Sequence, residues 1–242
     1  MSLVITLHVR EGIVMASDSR LTLNTQRQSG ANQIVNLAVG QSDSNYKTFL
    51  TPNGVGISTY GAADIGGVPI GGYVESFIND IVAPKALTVE QVADEILKYF
   101  RAQKPIPDTF FHVAGYKKTG NTSEQHVWQV SVAQGTKNKL NPPGDQGAWW
   151  GGESDILSRL ILPVGILDQN GNVKDKPPTF DIPWGFFTLQ DAIDFATFAV
   201  RSTIEMLRFQ PRAKTVGGPI DVLVIKPTGP SWVQRKELRV SS

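Results

Sequence analysis

The chain begins Met1-Ser2, and a small second residue is the usual signal for an aminopeptidase to remove the first. That would leave a serine carrying a free α-amine. A hydroxyl is a weak nucleophile at its own pKa, whereas an α-amine, with a pKa of roughly 8, is a base close to working pH, so one residue would supply both groups. Most rival chemistries are missing. The absence of cysteine excludes a thiol nucleophile, Cys-ligated zinc and a disulfide framework. His8, His112 and His126 have no metal-motif spacing, and neither HExxH nor GxSxG occurs. Gly66-Gly67 and Gly71-Gly72 lack the GxGxxG and GK[ST] patterns of phosphate-binding loops, so close helix packing is their expected use.

The elements that must position such a nucleophile start at once. Leu3, Ile5, Leu7 and Val9 alternate along a first strand, Arg10-Glu11-Gly12 makes a turn, and Ile13 to Ser17 forms a second strand ending at Asp18-Ser19-Arg20. Residues 21 to 45 are polar and read as a long loop or an extended hairpin. Lys47 to Leu50 and Val55 to Tyr60 read as strands around Thr51-Pro52-Asn53-Gly54, and a helix is expected from Gly61-Ala62-Ala63-Asp64 to about Val82. Thr88 with Gln91, and Thr188 with Asp191, have capping-box spacing ahead of two amphipathic helices. Phe110 to Tyr116 pairs with Gln125 to Val132, Trp149 to Leu162 turns from strand into helix, and Gly218 to Ile225 and Trp232 to Val240 supply the last strands. Lys174 to Phe187 is a Pro-rich surface connection. Strands and helices in blocks, without βαβ alternation, argue for α+β with antiparallel sheets and a single domain over 1–242.

Ser2, Asp18, Arg20, Lys47 and Gly61-Ala62-Ala63-Asp64 together resemble the pattern of proteasome β-type subunits, members of the N-terminal nucleophile hydrolases. Ala16-Ser17-Asp18-Ser19-Arg20 stands at the family's distance from the nucleophile, and Lys47 precedes Gly61 by its interval between catalytic Lys and oxyanion-hole Gly. Farther on, Lys214-Thr215-Val216-Gly217-Gly218-Pro219-Ile220-Asp221 and Gly152-Glu153-Ser154 look most like the bacterial proteasome-related branch called Anbu. The resemblance implies a four-layer αββα sandwich. It also implies catalytic roles for Ser2, Asp18, Lys47 and Gly61, with substrate contacts at Arg20 and Ala62. The family's accessory Ser would fall near Gly152 and its accessory Asp and Ser near Ala213 and Val216, so these are unmatched, and Ser154 or Thr215 is the candidate substitute.

These residues also make chemical sense on their own. Asp18 could accept from Lys47 and hold the N-terminus, while the Lys47 ammonium would favour the neutral, basic form of the α-amine. The Gly61 N–H could meet an oxyanion. The plain alternatives are a structural ion pair for Asp18 and Lys47, and a turn glycine for Gly61.

The implied function is a self-compartmentalising peptidase, with no cofactor and no metal, acting on unfolded polypeptide or peptide. The subunits would form a homo-oligomeric ring or helical stack, and an ATP-dependent unfoldase is a candidate partner. A small-molecule amidase with the same machinery and a non-catalytic structural subunit are the alternatives. A net charge of +1 gives no field to draw in nucleic acid or an anionic membrane. With no apolar run of roughly 18 residues and no basic leader, a cytoplasmic protein is expected.

Overall fold

The computed structural model describes residues 2–29 and 33–238. β1 (Leu3–Val9) and β2 (Gly12–Ser17) form the expected hairpin, with Val4 opposite Ser17 and Val9 opposite Gly12. Every residue of both strands is buried, so the pair has no face open to water. The polar stretch that follows is the extended hairpin, β3 (Leu21–Ser29) against β4 (Gln33–Ser42). β5 (Thr48–Leu50) and β6 (Gly56–Gly61) flank a turn closed by a hydrogen bond from Gly54 N–H to the Thr51 carbonyl, 3.0 Å.

The helix expected from Gly61 starts later. Asp64–Ile65 is β7 and pairs with β8 (Val68–Pro69) around Gly66 and Gly67, which have φ of 61° and 84°. Two successive residues in the left-handed region make a tight turn that a helix cannot contain. Only after Pro69 does α1 (Ile70–Phe77) begin, and it runs on as a π turn over Ile78–Val82.

α2 (Val89–Arg101) opens with the capping box read from Thr88 and Gln91. β9 (Thr109–Thr119), β10 (Thr122–Ser131) and β11 (Thr136–Lys139) follow as an antiparallel meander. β12 (Gly147–Gly152) leads into α3 (Asp155–Ile161), the expected change from strand to helix. The Pro-rich connection carries a small hairpin, β13 (Ile166–Leu167) with β14 (Val173–Asp175), and a 3₁₀ turn over Trp184–Phe186. α4 (Leu189–Phe209) opens with the Thr188/Asp191 capping box. β15 (Asp221–Lys226) and β16 (Gly229–Gln234) close the fold. The last strand ends six residues before the expected Val240, which lies outside the described residues.

The fold is α+β, with two antiparallel five-stranded sheets in the orders β12-β1-β2-β15-β16 and β11-β10-β9-β6-β5. Leu3, Ile5 and Leu7 pack with Val14, Val222 and the Ala192, Ala196, Ala199 and Val200 stripe of α4. Those alanines let the helix lie close to the first sheet. On the second sheet, Ile57, Phe111 and Val113 pack with Val74 and Phe77 of α1 and Val92, Ile96 and Phe100 of α2. Ile13, Met15 and Leu223 of the first sheet meet Ala114 and Val127 of the second. Fully burying each such large apolar side chain contributes about 1.5–3 kcal/mol, so these clusters hold the frame on which the start of β1 is displayed. Among the described residues no helix is long and apolar enough to cross a membrane.

Candidate active site

Ser2 directly precedes β1 and is 9% exposed. The expected loss of Met1 concerns a residue outside the described ones. The peptide unit joining Ser2 to Leu3 is held from both sides. The Ser2 carbonyl accepts from Glu153 N–H at 2.8 Å, and Leu3 N–H donates to Asp18 Oδ1 at 3.0 Å. Gly152 passes so close to that carbonyl that no Cβ would fit there.

Asp18 caps the end of β2 and is fully buried. Its Oδ1 also accepts from the Lys47 ammonium at 2.7 Å, and its Oδ2 accepts from the N–H groups of Arg20 and Gly217, each at 3.0 Å. A carboxylate with four donors is well compensated for its burial. Lys47 is 2% exposed. Burial holds its ammonium below the usual lysine value, against the pull of Asp18. Next to it the two sheets are joined by hydroxyls, Thr48 Oγ1 donating to Ser17 Oγ at 2.8 Å and lying 2.9 Å from Ser58 Oγ.

Ser2, Arg20, Lys47, Thr59, Ala62 and Ile70 line one cleft, whose free space of about 10 Å3 is about that of one water. Two sequence-predicted residues, Lys47 and Arg20, therefore bond to Asp18, and Ser2, Arg20, Lys47 and Ala62 border the same space. The Arg20 guanidinium, however, is engaged by Asp43, with Nε to Oδ1 at 2.6 Å and Nη2 to Oδ2 at 2.7 Å, and it lies against Gly217. That hydrogen-bonded pairing raises the Arg20 pKa and lowers that of Asp43.

Gly61 ends β6 with φ at 103°, and a Cβ there would stand 2.6 Å from the Asp108 carbonyl oxygen. The backbone alone thus requires glycine. Ala62 N–H donates to that same carbonyl at 2.8 Å.

Ser154 is half-buried at the start of α3 and makes no side-chain capping bond. It is not among the residues lining the cleft. Its neighbour Glu153, 8% exposed, accepts from Arg212 Nη1 at 2.8 Å and from Thr215 Oγ1 at 2.7 Å. Arg212 also reaches both oxygens of Asp155. Thr215, the other candidate accessory hydroxyl, is thus committed to Glu153. This network joins the segment that touches the Ser2 carbonyl to the segment that supplies Gly217 to Asp18.

Sequence reasoning missed Thr59, Ile70, Gly217 and the Glu153–Arg212 pair as parts of the site's surroundings. Only the Gly152-Glu153-Ser154 and Gly217-Gly218 runs carried a signal for any of them. Among the described residues no cluster of three or more His, Asp or Glu could hold a metal ion.

No protein-family model and no curated protein sequence matches the chain. Among solved structures it is similar to an Anbu (Gly-1) mutant from Hyphomicrobium sp. strain MC1. The TM-score is 0.56 and the identity 16%, over 98% of this chain and 86% of that one. At that identity the likeness is one of fold, and it runs through nearly the whole chain: the two sheets and their helices make a fold similar to that of the Anbu structure.

Proposed function

We propose that the protein is a proteasome-like N-terminal nucleophile hydrolase that cleaves peptide bonds through Ser2 once Met1 has been removed. The observation that carries this reading is the single oxygen, Asp18 Oδ1, that accepts both the Lys47 ammonium and the Leu3 N–H. It ties the one buried lysine of the cleft to the amide that follows the nucleophile.

In this mechanism the Ser2 hydroxyl attacks the scissile carbonyl and its proton passes to the Ser2 α-amine. The amine then gives that proton to the departing peptide amine as the C–N bond breaks, leaving an acyl-enzyme that water hydrolyses. Lys47, with Asp18 as counter-ion, favours the neutral amine. Gly61 N–H is the proposed oxyanion donor, and Ser154 is the proposed accessory hydroxyl. The αββα layering and a homo-oligomeric chamber that admits unfolded chains complete the reading.

Intact mass before and after an excess of a β-lactone or peptide epoxyketone tests it. Loss of Met1 and one adduct mapped to Ser2 are expected, and a protein that keeps Met1 and takes up no adduct would sink the proposal. A non-catalytic, ring-building subunit is the second reading. It is favoured by the narrow space beside Ser2 and by the engagement of Arg20 with Asp43.

A further inference from the structure

A second buried Asp–Lys pair stands beside the first. Asp221 opens β15 opposite Ser17, the residue before Asp18, and is fully buried. Its Oδ1 accepts from the Lys236 N–H at 2.7 Å, and its Oδ2 accepts from the Lys236 ammonium. One carboxylate thus grips both ends of one residue. Lys236 lies just past β16, on a terminal segment from which a lysine ordinarily extends into water, yet its side chain is only 4% exposed. The ammonium sits 4.2 Å from the centre of the Tyr46 ring, and the Tyr46 hydroxyl donates to the Lys236 carbonyl at 3.3 Å. Tyr46 directly precedes Lys47.

Stability alone is a poor reason for this arrangement. Burying an ion pair costs several kcal/mol, and apolar residues of similar size commonly do as well. What the pair does alter is the charge around Lys47. From β2 and the residues after it, Asp18 and Arg20 face that ammonium. Asp43 stands behind Arg20, and Lys236 faces it from the tail. Lys236 in turn faces Asp221, Asp18 and Arg235. Lys236 and Arg20 act on Lys47 in the same direction as burial, whereas Asp18 opposes.

We propose that Lys236 is a positioning residue of the site: held by Asp221, it fastens the C-terminal segment over Tyr46 and places a second ammonium beside the Asp18–Lys47 pair, so that Ser2 is activated near neutral pH. This rests on the function proposed above.

The test compares wild type with Lys236→Met, Lys236→Arg and the double variant Asp221→Asn/Lys236→Met. The readout is the rate of β-lactone adduct formation at Ser2 from pH 5 to 9, by intact mass. The Lys236 charge disfavours the protonated form of the Ser2 α-amine, so its removal should move the acidic limb of the profile up by about one pH unit and slow the reaction about tenfold below it. Lys236→Arg should keep the wild-type limb. The double variant leaves no bare buried carboxylate, so it carries the test where the single variant does not fold, and, with the Asp221 charge removed as well, it should shift in the same direction by less. A role confined to packing would lower the rate equally at every pH, and an unmoved limb in the folded double variant overturns the inference alone. A wild-type protein that forms no adduct at Ser2 overturns the proposed function and this inference with it.

Discussion

A Cβ atom built on Gly152 would stand 1.7 Å from the carbonyl oxygen of Ser2, the same oxygen that accepts from Glu153 N–H. Gly152 also has φ at 96°, a conformation that side-chain-bearing residues rarely adopt. Gly152→Ala should therefore destabilise the protein by at least about 3 kcal/mol and displace the N-terminus, abolishing the Ser2 adduct. Gly66→Ala is the control. Gly66 has φ at 61° but open space around its Cβ position, so the change should cost only about 1 kcal/mol. Urea unfolding of the two variants checks this, and equal losses would mean that the contact with Ser2 is unimportant.

Lys47→Met leaves the buried Asp18 carboxylate without its cation, and a cost of about 3–5 kcal/mol is expected. The double variant Asp18→Asn/Lys47→Met should recover part of that stability. It should not recover adduct formation. This separates a structural ion pair from a catalytic one, because full reactivity of a stable double variant would leave the pair with packing work only.

His112 lies between the sheets, fully buried, with Nδ1 3.1 Å from Thr6 Oγ1, and burial lowers its pKa to about 4. The unfolded value is about 6.5, so between the two the unfolded chain binds more protons than the folded one. Stability should then be fully present above about pH 6.5 and fall by about 3 kcal/mol as pH drops to about 4. Urea midpoints for wild type and His112→Asn across that range check it. A slope that persists unchanged in the variant would assign the acid sensitivity to other groups.

Phe209 is 78% exposed, and Leu160, Phe198 and Met206 are each about half exposed, around an apolar groove of about 450 Å3 between α3 and α4. Neighbouring exposed apolar side chains of this kind are suited to a subunit contact. Under the proposed homo-oligomer, Met206→Glu/Phe209→Glu should give a smaller particle by light scattering with an unchanged far-ultraviolet spectrum. An unaltered particle mass would put the subunit contact elsewhere.

The helices that open with capping boxes were legible because their signals are local. Thr88 with Gln91 and Thr188 with Asp191 bond across three residues, and the structure contains both reciprocal pairs. The start of α1 was not, because Ala62, Ala63 and Asp64 suit a helix and only the left-handed pair at Gly66 and Gly67 delays it. β11, β13 and β14 are too short for any period to declare itself. At the candidate site, Ser2, Asp18 and Lys47 were singled out by their match to a family's spacing, and the structure pairs Asp18 with Lys47 and puts Ser2 and Lys47 on one cleft. Glu153 with Arg212 was not, nor was Lys236 with Asp221, since pairings between distant segments leave no local periodicity to read.

The two oxygens of Asp18 reach Leu3, Lys47, Arg20 and Gly217, the last 199 residues away along the chain. Synthesis runs from Ser2 towards Gly217 and Lys236, so Ser2 is the first of these residues to leave the ribosome and Gly217 and Lys236 are the last. A nascent chain exposes Ser2 with its carboxylate partner only partly occupied and the C-terminal segment absent. Order of synthesis itself thus keeps the N-terminus unassembled beside the unfolded polypeptide, its own included, until the final strands have docked.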